Sequence, residues 1–282
     1  MIISAICYTL MAIFMKYALV SYSVFEIVLY RSLLGMVMMV FILRKADVSI
    51  KTPMPGMQLF RNVFSLTSLC LGTYVLALLP IGTAQTLKYT GPLFFALILV
   101  IESILNHQYV NKKLLGVLVI GFIGVCFIGR PTLGWEMLYG IGLCLICGFC
   151  VGAGDFCIKR MMQKGEPSER IVFWFVVGSI ACGLIGTLMG SGFHTVTTEG
   201  LLLFVGIGIS GTFAQYSNTY AYKWGDPLLN NIFTYTGVVF GVLASFCLFD
   251  EYLDDLTLIG CTVLMVSGIL AGYLKIKENE VK

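Results

Sequence analysis

Stretches of about twenty mostly apolar residues follow one another along nearly the whole chain, with short polar connections between them. A helix of that length crosses the hydrocarbon layer of a bilayer. Only 12% of the residues are charged, whereas soluble domains carry about 25%. The sequence therefore predicts an all-α integral membrane protein with ten transmembrane helices. The predicted spans are residues 2–20, 24–43, 58–79, 82–104, 112–129, 137–157, 170–190, 200–222, 227–249 and 256–274.

Basic residues are concentrated on one side of these spans. If the N-terminus lies in the cytoplasm, the inner connections and the C-terminal tail hold most of the 18 lysine and arginine residues, Arg61 among them. Cytoplasmic connections are rich in lysine and arginine, so this distribution orients the chain. We therefore expect a multi-pass protein of the cytoplasmic (inner) membrane of a bacterium, with both termini in the cytoplasm.

The chain contains nearly the same pattern twice. Tyr-Thr-Gly occurs at residues 89–91 and again at residues 235–237. A steady offset between the copies indicates two structural repeats, at residues 1–132 and 133–282, within one membrane unit. Each repeat has five spans, an odd number, so the second repeat must enter the membrane from the opposite side. Inverted five-helix repeats are typical of secondary transporters.

A few ionisable residues lie inside the predicted spans, where a charge is costly and is a functional candidate by default. They are Glu26, Arg31, Lys88, Glu102 and Asp155.

Lys88 is the most informative of these residues. It lies deep in the fourth span, with Gln85 one turn earlier, Tyr89 adjacent and Pro92 one turn later. A buried cation in such a polar segment suits an anionic or carboxylate-bearing ligand. The alternatives are a structural ion pair with Glu26 or another carboxylate, or a side chain that reaches the outer interface.

The other ionisable residues also have a structural interpretation beside the functional one. Arg31 can hold a carboxylate of the substrate, or it can join helices through backbone carbonyls. Asp155 precedes Lys159 by one helical turn, so the two can form an intrahelical ion pair. The alternative is a role of Asp155 in gating or proton coupling. Glu26 and Glu102 are further candidates for proton coupling or gating, and Glu102 can instead neutralise a nearby basic connection.

Neutral polar residues are concentrated in the third, fourth, eighth and ninth spans. Polar side chains that face lipid are costly, so these helices should line a shared central cavity. Candidates for orienting a substrate there are Gln215, Asn218, Asn231 and Tyr235. Amide and aromatic groups suit an organic molecule better than a bare inorganic ion. No nucleophile is paired with a base in the sequence, and we expect no catalytic residue, metal or cofactor.

Several spans resemble a known family. Residues 25–31 resemble its second helix, and residues 77–98, ALLPIGTAQTLKYTGPLFFALI, resemble its fourth. LLGVLVIGFIGVCFI and LIGCTVLMVSGIL resemble its fifth and tenth helices. The chain is therefore similar over its whole length to EamA-type transporters of the drug/metabolite transporter superfamily. The resemblance implies two inverted five-helix repeats, alternating access, and a cavity lined mainly by helices 3, 4, 8 and 9. Lys88 departs from the usual fourth helix of that family.

The leading hypothesis is a secondary carrier for a small polar organic metabolite that is amino-acid-like or otherwise carboxylated. Lys88 and Arg31 would supply the charge. One alternative is exchange of S-adenosylmethionine or another nucleoside-type metabolite. A membrane-embedded enzyme is a distant third, because it needs a clustered acid and base. The expected partners are the substrate and the lipid bilayer, without nucleic acid, and a homodimer is left open.

Overall fold

The structure, a computed structural model, describes residues 1–106, 112–128, 134–190, 192–225, 230, 233–250 and 253–280. Helices make up nearly all of this part of the chain, and it contains no strand. The prediction of an all-α protein is confirmed over these residues. The helices are α1 (Ile2–Ala18), α2 (Val24–Ala46), α3 (Pro55–Leu78), α4 (Ile81–Lys88), α5 (Gly91–Leu105), α6 (Lys112–Ile128), α7 (Trp135–Gln163), α8 (Ser168–Met189), α9 (Thr198–Trp224), α10 (Thr236–Phe249) and α11 (Asp255–Glu280).

In the described part of the chain, six helical segments are long and apolar enough to cross a membrane, judged by length and composition. They are Val24–Ala46, Pro55–Leu78, Ile81–Leu105, Met137–Gln163, Ser168–Met189 and Thr198–Trp224. Shorter apolar helices occupy the places of other predicted spans. These are Ile2–Ala18, Leu115–Ile128, Thr236–Phe249 and Asp255–Ala271.

Local sequence signals explain where some helices begin. At the start of α2, the Ser23 hydroxyl accepts a hydrogen bond from the Glu26 backbone N–H (3.3 Å), and the Glu26 carboxylate accepts one from the Ser23 backbone N–H (2.9 Å). This reciprocal capping box satisfies two N–H groups that a helix start leaves unpaired. At the start of α9, the Thr197 hydroxyl accepts a hydrogen bond from the Gly200 N–H in the same way.

Both Tyr-Thr-Gly segments interrupt a helix. Tyr89 and Thr90 form the junction between α4 and α5. Pro92 contributes to this break because it has no N–H and its ring clashes with a continuous helix. In the second copy, Tyr235 lies in a turn directly before α10, although valine stands where the first copy has proline. A proline is therefore not required for the interruption.

The helix α7 extends to Gln163, whereas the sequence predicts its end at residue 157. Lys159 and Arg160 are the polar residues that suggest the shorter span. Both continue the helix because each has a favourable partner on α5. Arg160 forms an ion pair with Glu102, and the Lys159 ammonium lies 6.0 Å from the centre of a phenylalanine ring. The longer helix places Asp155 well inside α7, away from its end.

Helices of the first half pack against helices of the second half in matching pairs. The pairs α2–α8 and α6–α11 join equivalent helices, and α4 also contacts α10. α3 packs against α7 as α9 packs against α1, and α5 packs against α7 as α10 packs against α1. Where α6 crosses α11, a Cβ atom on Gly260 would lie 2.7 Å from the carbonyl oxygen of Gly124. Glycine therefore permits this close backbone approach.

The helix ends define two faces of the molecule. On one face, a buried cluster around Ile158 and Tyr222 packs against Met1, so the start of α1 meets the ends of α7 and α9. On the other face, the start of α2 meets the segment before α9, where Glu26 bonds to His194. They are named the Met1 face and the His194 face below.

Candidate functional site

A cavity lies between α1, α3, α4, α7 and α9, beside the helix break at Tyr89. It holds up to about 840 Å³ of empty space, part of it open to the outside. Several predicted substrate-binding residues line the cavity together. These are Arg31, Gln85, Lys88, Tyr89, Gln215 and Asn218, and Asp155 also lines it.

Lys88 projects from the end of α4 into this cavity. Its ammonium lies 5.6 Å from the centre of the Tyr8 ring, close to Gly72 of α3 and Cys147 of α7. None of the ion pairs among the described residues includes Lys88. The ion pair with Glu26 that the sequence suggests as an alternative is not formed. An ammonium within a membrane protein is costly without an oxygen partner, so this one is available to a ligand.

Arg31 projects into the same cavity from α2 and is 5% exposed. One terminal nitrogen donates to the sulfur of Met11 at 3.4 Å, and the guanidinium lies beside Gly211 of α9. A thioether is a weak acceptor, whereas a guanidinium binds a carboxylate strongly and often bidentately. No ion pair in the described part of the chain includes Arg31. A second base in this cavity therefore has unused capacity for an acidic group.

Asp155 supplies the acidic group of the cavity wall. Its carboxylate accepts hydrogen bonds from the Asn218 amide (3.5 Å) and from the Tyr222 hydroxyl, both on α9. The intrahelical ion pair with Lys159 that the i, i+4 spacing suggests is not formed, since the carboxylate is directed across to α9. Asp155 therefore connects α7 to α9 at the end of the cavity nearer the Met1 face.

Tyr8 is a cavity residue that the sequence reasoning missed. Its hydroxyl donates to the Gln215 side-chain oxygen at 2.8 Å, and its ring faces the Lys88 ammonium. The bond joins α1 to α9 across the middle of the cavity. The available signal was a tyrosine near the centre of the largely apolar first span, because a phenol inside a membrane usually has a hydrogen-bond partner.

Arg61 is a second residue whose position differs from the expectation. The sequence groups it with the basic connections, but in α3 it is 0% exposed. Its guanidinium lies 4.5 Å from the centre of the Phe175 ring and donates to Asn62 at 3.3 Å. Its Nε and second terminal nitrogen have no partner among the described residues. Phe175 lines the cavity, so Arg61 lies directly behind the cavity wall.

The two glutamates proposed for coupling or gating lie away from the cavity. Glu26 caps α2 and also accepts hydrogen bonds from the backbone N–H (2.6 Å) and Nδ1 (2.7 Å) of His194. Nδ1 is the donor when the imidazole carries its proton there. Glu102 pairs with Arg160 and joins α5 to α7. In the structure, both side chains hold elements together.

Two other predicted substrate-binding residues have different outcomes. Tyr235 is 1% exposed and packs its ring against Gly268, so it lies behind the cavity wall, whereas its neighbour Thr234 lines the cavity. Asn231 lies outside the described residues.

An apolar helical protein with a charged and aromatic cavity suits a membrane transporter, and comparison with known proteins decides the family. The model of the EamA-like transporter family matches residues 1–130 and 138–273. The chain belongs to this family. The prediction from the sequence is thus confirmed, and this chain is a transmembrane transporter of the drug/metabolite type rather than an enzyme.

Its relatives in the EamA family include transporters with different described cargoes. A Helicobacter pylori protein described as an uncharacterized transporter is 24% identical over 95% of this chain and 92% of its own length. The pseudopaline exporter CntI of Pseudomonas aeruginosa is 24% identical, over 97% of this chain and 95% of its own. An S-adenosylmethionine uptake transporter of Rickettsia bellii is 22% identical, over 92% and 87% respectively.

A solved crystal structure has the same fold. It superposes with a TM-score of 0.68, covers 99% of this chain and 98% of its own, and is 17% identical in sequence. The likeness shows a common fold, and function has to be argued from the cavity.

Proposed function

We propose that this EamA-family transporter is a secondary carrier for a small polar organic metabolite that bears a carboxylate. The observation that carries the proposal is the pair of basic side chains, Lys88 and Arg31, that face one cavity without an acidic partner among the described residues. The protein would move its substrate across the cytoplasmic membrane of a bacterium.

The chemistry of the cavity supports a carboxylate as the recognised group. A buried base without a counter-charge is unfavourable, and a bound carboxylate relieves that cost for Lys88 and Arg31 together. Gln85, Gln215 and Asn218 add amide donors and acceptors that can orient a polar molecule. The rings of the cavity provide apolar surface, as expected for an organic ligand.

The matching helix pairs support two inverted repeats of five spans each. Exchanging the two halves turns the α3–α7 contact into the α9–α1 contact, and turns α5–α7 into α10–α1. A structure with this internal exchange has two related ways of packing around one central site, which is the basis of alternating access. We include in the proposal ten spans and cytoplasmic termini, which the distribution of basic residues favours.

A second candidate is exchange of S-adenosylmethionine or a related nucleoside-type metabolite. The similarity to the Rickettsia uptake transporter over 92% of this chain favours it. In that case Asp155 would face the positively charged part of the ligand, and Lys88 would face its carboxylate. Both candidates therefore place a carboxylate at Lys88 and differ in the remainder of the molecule.

The test uses purified protein reconstituted in liposomes and a panel of radiolabelled amino acids, organic acids and S-adenosylmethionine. A substrate is first found by thermal shift, because a ligand of the folded state raises the apparent melting temperature. Lys88→Gln and Arg31→Gln should each weaken its binding about ten- to hundredfold, the value of a charge-assisted hydrogen bond. Lys223→Gln is the matched control, since Lys223 is exposed at the end of α9.

The proposal is wrong if the amidated form of the substrate binds as well as the free acid. It is equally wrong if neither the Lys88 nor the Arg31 variant changes binding or uptake in folded protein.

A further inference from the structure

The charged groups of the cavity lie at two different heights between the faces of the molecule. Along α9, the Arg31 guanidinium is level with Gly211, whereas Asp155 is bonded to Asn218 and Tyr222 further along the helix. From Gly211 to Asn218 is about two helical turns, or roughly 10 Å at about 1.5 Å per residue. Arg31 therefore lies nearer the His194 face and Asp155 nearer the Met1 face.

A second helix gives the same separation for Lys88. A Cβ atom on Gly72 would meet the Cys147 sulfur at 3.4 Å and the Lys88 ammonium at 3.7 Å, so Lys88 is level with Cys147. Asp155 follows Cys147 on α7 by a little more than two turns, about 12 Å along the helix axis. Measured as helix rise, Lys88 and Arg31 thus lie about 10–12 Å from Asp155, in the direction of the His194 face.

The carboxylate end has capacity for a cation. Asp155 accepts hydrogen bonds from two neutral groups, while a carboxylate has about four lone-pair positions in all. No ion pair among the described residues joins it to a base, and Arg61 is directed to the Phe175 ring behind the wall. The cavity therefore has at one end an acid that forms no ion pair with a described base, with the buried Arg61 guanidinium acting on it only through space, and at the other end two bases that form no ion pair.

We propose that the substrate is an elongated zwitterion, with its carboxylate at Lys88 and Arg31 and its ammonium at Asp155. This inference rests on the proposed carboxylate carrier and specifies its substrate class. The two charges of the ligand would be separated by about 10 Å, the length of about three residues of extended peptide. An α-amino acid has its ammonium and carboxylate groups attached to the same carbon atom. It can therefore pair with the charged residues at only one end of the cavity.

The middle of the cavity suits the uncharged part of such a molecule. Tyr8 and Gln215 are joined there by a hydrogen bond, and Gln85 and Ser68 line the same region. These groups can accept and donate hydrogen bonds along an extended polar chain. A purely hydrocarbon spacer would leave them without new partners, so amide-containing spacers are the better probes.

Oligoglycines provide a length series with constant end groups. The binding of glycine, diglycine, triglycine and tetraglycine is measured from the ligand-dependent rise of the apparent melting temperature of the purified full-length protein. We expect the affinity to increase with length and to be greatest at triglycine, about ten- to hundredfold above glycine. A flat series, or no binding by any member, overturns the inference.

Two derivatives of triglycine test the contributions of its two charged ends separately. N-acetyltriglycine lacks the ammonium and triglycinamide lacks the carboxylate, and each should bind about ten- to hundredfold more weakly than triglycine. Asp155→Asn should abolish the preference over N-acetyltriglycine and retain the preference over triglycinamide. Lys88→Gln should abolish the preference over triglycinamide and retain the preference over N-acetyltriglycine. A general folding defect would change both ratios together.

Asp255→Asn is the matched control, because Asp255 is exposed at the start of α11. It should leave both ratios unchanged. If N-acetyltriglycine binds as well as triglycine, and Lys88→Gln weakens both, the zwitterion is wrong while the carboxylate carrier stands. If Asp155→Asn weakens the three peptides equally, Asp155 acts in gating or coupling and the ammonium site is wrong.

Discussion

Tyr89 and Tyr235 occupy the same place in two copies of one Tyr-Thr-Gly segment, and each lies where a helix is interrupted. Their surroundings differ. Tyr89 lines the cavity directly after Lys88, whereas Tyr235 follows Thr234 and is buried against Gly268 behind the wall. The two copies therefore share a backbone break and differ in whether their tyrosine can contact a substrate.

The difference arises in part because the two segments pack against each other unequally. The Tyr89 hydroxyl lies against Gly237 of the second copy. Gly91, the equivalent glycine of the first copy, packs instead against Val151 and Gly148 of α7. Tyr235 therefore turns to α11. An internal duplication can thus repeat a chain break while the side chains of its copies take separate roles.

The largest effect is expected from making the first copy resemble the second. Lys88→Thr gives residues 88–91 the sequence Thr-Tyr-Thr-Gly, the same as residues 234–237. It removes an ammonium from the cavity, so the affinity for carboxylates should fall about ten- to hundredfold, equivalent to about 1.5–3 kcal/mol. Ligand-dependent thermal shifts with acid and amide forms of one compound measure the change.

Thr234→Lys is the reciprocal variant, because Thr234 also lines the cavity. In the Lys88→Thr background it should recover part of the preference for acids over amides. If Lys88→Thr leaves the preference for acids over amides intact, Lys88 is not what distinguishes the two copies in ligand binding.

The next effect concerns the two glycines that contact the tyrosines. A Cβ atom on Gly268 would overlap the Tyr235 ring, and one on Gly237 would overlap the Tyr89 hydroxyl. Overpacking costs about 1–3 kcal/mol, so both alanine variants should have a lower melting temperature. Gly237→Ala should also change ligand affinity, because it displaces a cavity residue, whereas Gly268→Ala should not.

The control for both variants is Gly116→Ala. A Cβ atom there meets nothing within 4 Å, and α6 contributes nothing to the cavity lining. Alanine is a better helix former than glycine, so this variant should be as stable as the parent or slightly more stable. Equal ligand affinity in the Gly237 and Gly268 variants would remove the functional distinction between the tyrosines.

The sequence predicts much of this arrangement because lipid imposes strong constraints. Apolar stretches of spanning length predict the helices, and polar residues within them predict the region of the cavity. Gln85, Lys88 and Gln215 are examples, since each is costly in lipid and lines the cavity in the structure. The location of these cavity residues within particular spans was therefore predictable from the sequence.

The sequence did not predict which way a side chain points around its helix, or how deeply a residue near a helix end is buried. Arg61 lies a few residues inside α3, where the sequence alone does not separate a connection from a buried site. Tyr235 is followed by Thr-Gly just as Tyr89 is, and the packing of Gly237 and Gly268 directs the two rings differently. Arg160 lengthens α7 through a glutamate on α5 that is far away in sequence. Tertiary contacts decide each of these cases.

A smaller effect is expected from giving the second copy the proline of the first. Val238→Pro removes a backbone N–H that donates to the Tyr235 carbonyl oxygen at 3.0 Å. The site is in the first turn of α10, where proline is tolerated, so the cost should be about 1 kcal/mol, the value of that hydrogen bond. A thermal melt measures it, and retention of ligand affinity is expected. A complete loss of folded protein would show that the second break cannot accept the geometry of the first.

The smallest effect concerns the Tyr235 hydroxyl. It is buried and has no hydrogen-bond partner among the described residues. An unpaired buried hydroxyl costs about 1–3 kcal/mol, so Tyr235→Phe should leave the melting temperature unchanged or raise it. Ligand affinity should also be unchanged, because the ring is behind the wall. Tyr89→Phe is the matched variant in the cavity and should change affinity without a change in stability. A marked destabilisation by Tyr235→Phe would mean that its hydroxyl is bonded in the folded protein, and that Tyr235 is more than a packing residue.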